Sequence, residues 1–206
     1  MQPDDKQASR LDILTAAANL FSEQGYNGTS FAAVAKAAQH SKALVQYHFP
    51  SKEQLWKNAV RHVWQQRDSA LPRYLDDQFL AQLDEQAQNQ MIRQLCRGLI
   101  RFTADNPQWV KIMYLEASNP GPRLEWMVEE FFQQDFAAGS AMVELAQQRK
   151  LLPTADPMST LFIMGGMMIH YVNVAPITQR ITGIDPLTDE QIEHYVDNFL
   201  RILQRP

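Results

Sequence analysis

The chain has 206 residues, 45% of them hydrophobic and 20% charged, which is enough apolar side chain for one or two ordinary cores and excludes a disordered chain. Its single cysteine, Cys96, excludes an intrachain disulfide and a cysteine metal cluster, and fits a reducing, cytoplasmic setting. The formal net charge of -4 argues against general coating of nucleic acid, but it divides unevenly: residues 1–60 hold six Lys and Arg against five Asp and Glu, and the rest is acidic.

In chain order, the start Met1-Gln-Pro-Asp-Asp-Lys is polar and partly acidic, unlike a signal peptide. A first helix is expected over about Ser9 to Gln24, with Leu11, Leu14, Ala18 and Phe21 on one face, a stop at Gly25 and a turn at Asn27-Gly28. Ser30 is a good N-cap for a short, alanine-rich second helix that places Phe31, Val34, Ala35 and Ala38 together. After a turn at Gln39-His40, Ser41 caps a third helix running to about His48. Val45 and Phe49 lie four residues apart on its inward face. Lys42 and Gln46 form a separate pair, with Ala43 and Tyr47 beside them, on the outward face.

Small residues for close approach, an amide for base edges, and a cation and hydroxyls for phosphates are what a recognition helix requires. Pro50 ends this helix, and Ser51-x-x-Gln54 is a capping box that opens a fourth, to about Ser69, before a break at Pro72. Lys52 in its first turn stands beside the positive end of a helix, a poor place for a cation unless a phosphate approaches; otherwise it is a solvated surface lysine.

The run from Ile13 to Leu55 resembles the N-terminal domain of TetR-family transcriptional regulators, most closely in Val45-Gln46-Tyr47-His48-Phe49-Pro50-Ser51-Lys52-Glu53-Gln54-Leu55. Ala16-Ala17-Ala18-Asn19-Leu20-Phe21-Ser22-Glu23-Gln24-Gly25-Tyr26 is similar to that family's first helix and its glycine stop. The resemblance implies phosphate contacts at Thr29, Tyr47, His48 and Lys52, and base reading at Ser41, Lys42, Ala43, Leu44 and Gln46. Two departures stand out. Gln39-His40 replaces the usual Gly-Val turn, so Gln39 has to reach its turn conformation without glycine's freedom. Leu44 is apolar where small or polar residues are common; it either touches a thymine methyl or packs against a neighbouring helix.

Further along, helices are expected over about Gln88–Ala104, with Met91, Leu95, Leu99 and Phe102 inward, and from an Asn106 cap with Pro107 through Glu116. A loop at Asn119-Pro-Gly-Pro122 precedes a long helix over about Leu124–Lys150. Asp156-Pro157 starts the next, and Thr188-x-x-Gln191 boxes the last. The longest apolar stretch, about Leu161 to Ala175, is broken by His170 and Asn173 and is too short to span a membrane. The expected fold class is all-α: a three-helix head with a helix-turn-helix over residues 1–56, and a larger C-terminal helical bundle over 57–206 for ligand binding and dimerisation.

In the bundle, Phe102, Trp109, Met113, Tyr114, Phe132, Phe136, Met164, Met167 and Tyr171 are either plain core or the wall of an adaptable pocket, with Glu116 and His170 as groups able to orient an effector. The resemblance implies a two-fold homodimer through the last two helices, about 157–182 and 188–204. Gly165 and Gly166 would allow close approach there, and Ile192, Tyr195, Val196, Phe199 and Leu203 form a stripe to bury. The partners expected are therefore double-stranded DNA, an unidentified small-molecule effector and a second copy, with no membrane, cofactor or metal.

A repressor of a palindromic operator follows, with an activator of the same architecture as the alternative. A helical-bundle enzyme is the distant rival: the sequence has no Glu-x-x-His pair, no His-Glu-x-x-His and no phosphate-cradling glycine run. Glu190, Glu193 and His194 read as a solvated face, so no catalytic residue is expected.

Overall fold

The computed structural model describes residues 3–71, 78 and 81–203; the expected break at Pro72 lies outside them. Every regular element among the described residues is helical. In chain order these are α1 (Pro3–Gly28), α2 (Phe31–Ala37), α3 (Lys42–His48), α4 (Lys52–Ala70), α5 (Glu85–Asp105), α6 (Gln108–Ala117), α7 (Pro122–Met127), a π-turn (Val128–Phe132), α8 (Gln133–Gln148), α9 (Pro157–Asn173), α10 (Ala175–Thr182) and α11 (Asp189–Leu203). The chain folds as two compact units: the described residues of Met1–Arg67 with Asn106–Leu124, and those of Asp68–Asp105 with Glu125–Pro206. The packing unit of the head thus takes in α6, beyond the sequence boundary expected at 56.

The first unit forms around α1, which packs against α2, α3 and α6. Ile13, Leu14, Ala17, Ala18 and Phe21 make its buried stripe, at the spacing of an inward helical face. Leu11, expected on that stripe, is 51% exposed, because the buried face is centred one residue further round. The helix breaks at Gly25, whose φ of 68° and ψ of 177° are costly for any residue with a Cβ. Trp56 and Trp64 of α4 and Trp109 of α6 add bulk to the interior.

In the second unit, Ile92, Cys96 and Ile100 of α5 pack with Val143 and Ala146 of α8, Met168 and Val172 of α9, and Ile192, Val196, Phe199 and Leu200 of α11. The inward face of α5 is centred one residue round from the expected one: Phe102 is buried as expected, but Ile92, Cys96, Ile100 and Thr103 are buried with it and Met91, Leu95 and Leu99 flank them. Local caps set most boundaries. Asp84 accepts from the Ala87 amide at 2.7 Å, and Asp156 from Ser159 at 2.7 Å with proline behind it at the first helical position. The helix expected from Asn106 begins two residues on, at Gln108, with Pro107 as its N-cap residue. The single long helix expected over 124–150 is α7 and α8 joined through the π-turn.

Between α5 and α11 runs a ladder of ion pairs: Arg93 with Asp197, Arg97 with Glu193, Arg101 with Asp189. The arginines are spaced by four along one helix and the carboxylates by four, in reverse, along the other. Glu193, read from sequence as part of a solvated face, therefore has a partner across the interface. Gly139 lets α8 approach α9, since a Cβ there would strike the Leu161 side chain at 2.8 Å. Among the described residues no single helix is long and apolar enough to cross a membrane.

Candidate DNA interface

Each side chain of the head's outer edge is placed by local rules. Ser30 caps α2 by accepting from the Ala33 amide at 3.1 Å. At its other end the His40 amide donates to the Ala35 carbonyl at 2.9 Å and the Gln39 amide to Lys36 at 3.3 Å, while Gln39 has a φ of 57°. This is a Schellman stop with glutamine in the left-handed position that glycine usually fills. His40 then reaches back to α1, its Nε2 3.3 Å from an Asp12 carboxylate oxygen, which ties the turn to the scaffold. The turn expected from the sequence is present, and so is its unfavourable backbone.

The Ser41 hydroxyl accepts from the Leu44 amide at 3.1 Å, so it caps α3. Val45 and Phe49 are buried beneath α3. Lys42, Ala43, Gln46 and Tyr47 are exposed, Tyr47 at 66%, and Leu44 is half-buried, consistent with packing. A shallow concavity joins Lys42 and Gln46 of α3 to Asn27, Ser30 and Phe31 before and within α2, and to Lys52 of α4. Lys52 is itself half-buried: its ammonium lies 3.4 Å from the Asn27 carbonyl and 4.7 Å from the centroid of Tyr26. The Ser51 hydroxyl accepts from the Gln54 amide at 3.1 Å, completing one half of the expected capping box.

Thr29 departs from its expected role. It is 2% exposed and its hydroxyl donates to the Gly25 carbonyl at 3.0 Å, so the side chain steadies the kink after α1. His48 is half-buried, its Nε2 3.4 Å from the Ser9 hydroxyl. Burial first, then the positive fields of Lys6, Arg10 and His40, holds its pKa below the ordinary 6.5, which keeps the ring uncharged at neutral pH. Lys6 was not singled out in the sequence. It stands 3.3 Å from the Tyr47 hydroxyl, beside the recognition helix, and no local pattern announces a contact across 41 residues.

The residues expected to hold an effector do not converge. Trp109, Met113, Tyr114 and Glu116 belong to the first unit. Glu116 is buried there and takes the Arg123 guanidinium Nε on both carboxylate oxygens at 3.0 Å, while that guanidinium lies 4.4 Å from Tyr26's centroid. It is a structural ion pair. In the second unit Phe102 is buried; Phe132 and Phe136 form an edge-on pair, and Phe136 meets Phe162 at 5.3 Å on the outside of α8 and α9. His170 and Met167 are exposed, and Tyr171 donates to the Pro186 carbonyl at 2.6 Å and stacks on Tyr195.

A cavity of about 210 Å³ opens elsewhere in this unit, lined by Leu71, by Ile92, Leu95, Cys96 and Leu99 of α5, by Gly139, Met142, Val143 and Ala146 of α8, by Leu152, and by Leu161, Met164, Gly165 and Met168 of α9. Only Met164 of the expected ligand residues reaches it. The aliphatic positions of this wall carry no aromatic cluster, and their helical spacing on α5 and α8 is their signal in the sequence.

The stripe expected at a dimer contact is also corrected. Ile192, Val196 and Phe199 are 1–2% exposed inside the chain's own core, and Gly165 lines the cavity. Tyr195 and Leu203 are partly buried against that core. The outward face of α9 carries Phe162, Ile163, Gly166 and Met167 instead.

Residues 13–59 match the family model described as bacterial regulatory proteins, tetR family. Across 196 residues, 95% of this chain and 89% of the relative, the sequence is 26% identical to the HTH-type transcriptional regulator RutR of Escherichia coli O157:H7. Over 107 residues, 52% of each protein, it is 30% identical to the biofilm operon icaADBC HTH-type negative transcriptional regulator IcaR of Staphylococcus aureus strain Newman. The fold is similar to that of a HlyIIR mutant, with a TM-score of 0.71 and 19% identity over 98% of this chain and 100% of the other. It is also similar to AibR in complex with isovaleryl coenzyme A and operator DNA, with a TM-score of 0.69 and 19% identity over 96% and 99%. The helix-turn-helix head, residues 13–59, is thus matched by the model of the tetR family of bacterial regulatory proteins, and nearly the whole length of the chain is similar to a transcriptional regulator.

Proposed function

We propose that this protein is a cytoplasmic repressor that occupies a palindromic operator as a homodimer and is released by a small molecule bound in its helical bundle. The observation that carries the reading is the division of α3: Val45 and Phe49 anchor the helix from below, leaving Lys42, Ala43 and Gln46 outward for the major groove. Tyr47, His48 and Lys52 serve the phosphates, and the capping hydroxyl of Ser41 and half-buried Leu44 stand at the edge of the base-reading set. Thr29 contributes through its hydroxyl's hold on the kink rather than through a phosphate contact.

One recognition helix touches few base pairs, so operator selectivity requires two heads on a two-fold axis. The apolar outward face of α9 supports such pairing. The relative IcaR, named a negative transcriptional regulator, supports repression, and AibR, solved with an acyl coenzyme A and operator DNA, supports response to a small molecule. A ligand that favours one spacing of the heads changes operator affinity by its differential affinity for the two forms, typically about 1–3 kcal/mol. Catalysis has no part in the reading.

Selection of the purified protein on random duplex pools tests it. An inverted repeat should emerge, with half-sites about one helical turn apart. Gln46→Ala should relax one position in each half-site by roughly 1–3 kcal/mol; recovery of no motif by the wild type would refute the proposal.

A further inference from the structure

We propose that the cavity of the second unit is a binding site for an uncharged aliphatic molecule of roughly eight carbons. The inference rests on the effector reading above and narrows it to one chemical class. The cavity's volume is about 210 Å³. An apolar cavity of about 150 Å³ stays dry and takes up benzene, so this one suits a slightly longer guest.

Among the described residues its wall holds no Asp, Glu, Lys, Arg, His, Asn, Gln, Ser or Thr side chain; the heteroatoms are the thioethers of Met142, Met164 and Met168 and the thiol of Cys96. Burial pushes that thiol up to about 11, so it too is uncharged at neutral pH. A carboxylate or a many-armed hydrogen-bonding ligand seated against this wall would find no hydrogen-bonding side chain to replace the water it displaces. A hydrocarbon chain loses nothing of the kind, and three flexible methionines can mould to it.

Position 165, on the wall of this space, is glycine. A Cβ built there meets no atom within 4 Å, although glycine in mid-helix weakens α9. A larger side chain at Gly165 would therefore occupy the guest's volume rather than collide with the scaffold.

The test uses the full chain with 13C-labelled methionine methyls, titrated with 1-octanol and, separately, with octanoate. 1-Octanol should give saturable shifts at Met142, Met164 and Met168 and leave Met113 and Met158 in place, with octanoate at least tenfold weaker. Gly165→Ala should keep the response and Gly165→Leu should abolish it. Shifts that never saturate, that spread over all the methionines, or that are equally strong with octanoate overturn the proposal; the wild-type pattern decides this even if the leucine variant fails to fold. A gel shift in 1-octanol separates this inference from its premise. Cavity binding without loss of operator affinity keeps the site and removes effector release, whereas operator release with the three methionines unmoved removes the site.

Discussion

Gln39 carries a left-handed backbone without glycine's freedom, at a cost of the order of 1–3 kcal/mol for such a conformation. Gln39→Gly removes that cost but frees the unfolded chain by about 0.4–1 kcal/mol. The net expectation is a gain of about 1 kcal/mol in urea unfolding, while Gln39→Ala, which keeps the strain, gains nothing. His48 gives a pH signature at the same scale. Its folded pKa is depressed, as is that of His62, which is lowered by burial and then by Arg10. The unfolded chain therefore takes up protons first as pH falls below about 6.5, and the stability these rings contribute above that pH is lost on the way down through their folded values. Urea midpoints measured from pH 7.5 to 5.5 should fall, and His48→Gln should make the fall shallower.

Among the elements, the ion-pair ladder between α5 and α11 joins partly exposed side chains, so each rung is worth at most about 1 kcal/mol. A double-mutant cycle on Arg97 and Glu193 should return a coupling of roughly 0.5 kcal/mol that shrinks in 1 M salt. Helix ends were legible in the sequence because caps are local: Ser30, Ser41, Ser51 and Asp156 each bond an amide three residues on. Faces were less legible. The shift of Leu11 to the surface and the one-residue rotation of α5 depend on which neighbour a helix meets, and periodicity within one helix does not carry that information. The cavity was least legible, because its wall is assembled from helices and loops up to about a hundred residues apart.

At the scale of the whole molecule, the corrected dimer stripe has a direct consequence. Ile192, Val196 and Phe199 hold the core together, so changing them would unfold the chain rather than separate two copies. The outward face of α9 is where association can be tested without that confusion. Ile163→Glu places a charge on an exposed position and should leave the helical signal and thermal midpoint of the chain near wild type. In sedimentation velocity at micromolar concentration the wild type should run as a dimer and Ile163→Glu as a monomer. Operator affinity should fall with the loss of the pair.

The π-turn at Val128–Phe132 marks a place where the polypeptide can change length cheaply. A wide turn holds one residue more than an α-helical turn, so the surplus residue is confined to that stretch and does not swing every later side chain round by about 100°. Deleting one residue between 128 and 132 would close the turn to ordinary geometry and leave the flanks of α7 and α8 in phase, whereas the same deletion in the middle of α8 would rotate the cavity wall away from its neighbours.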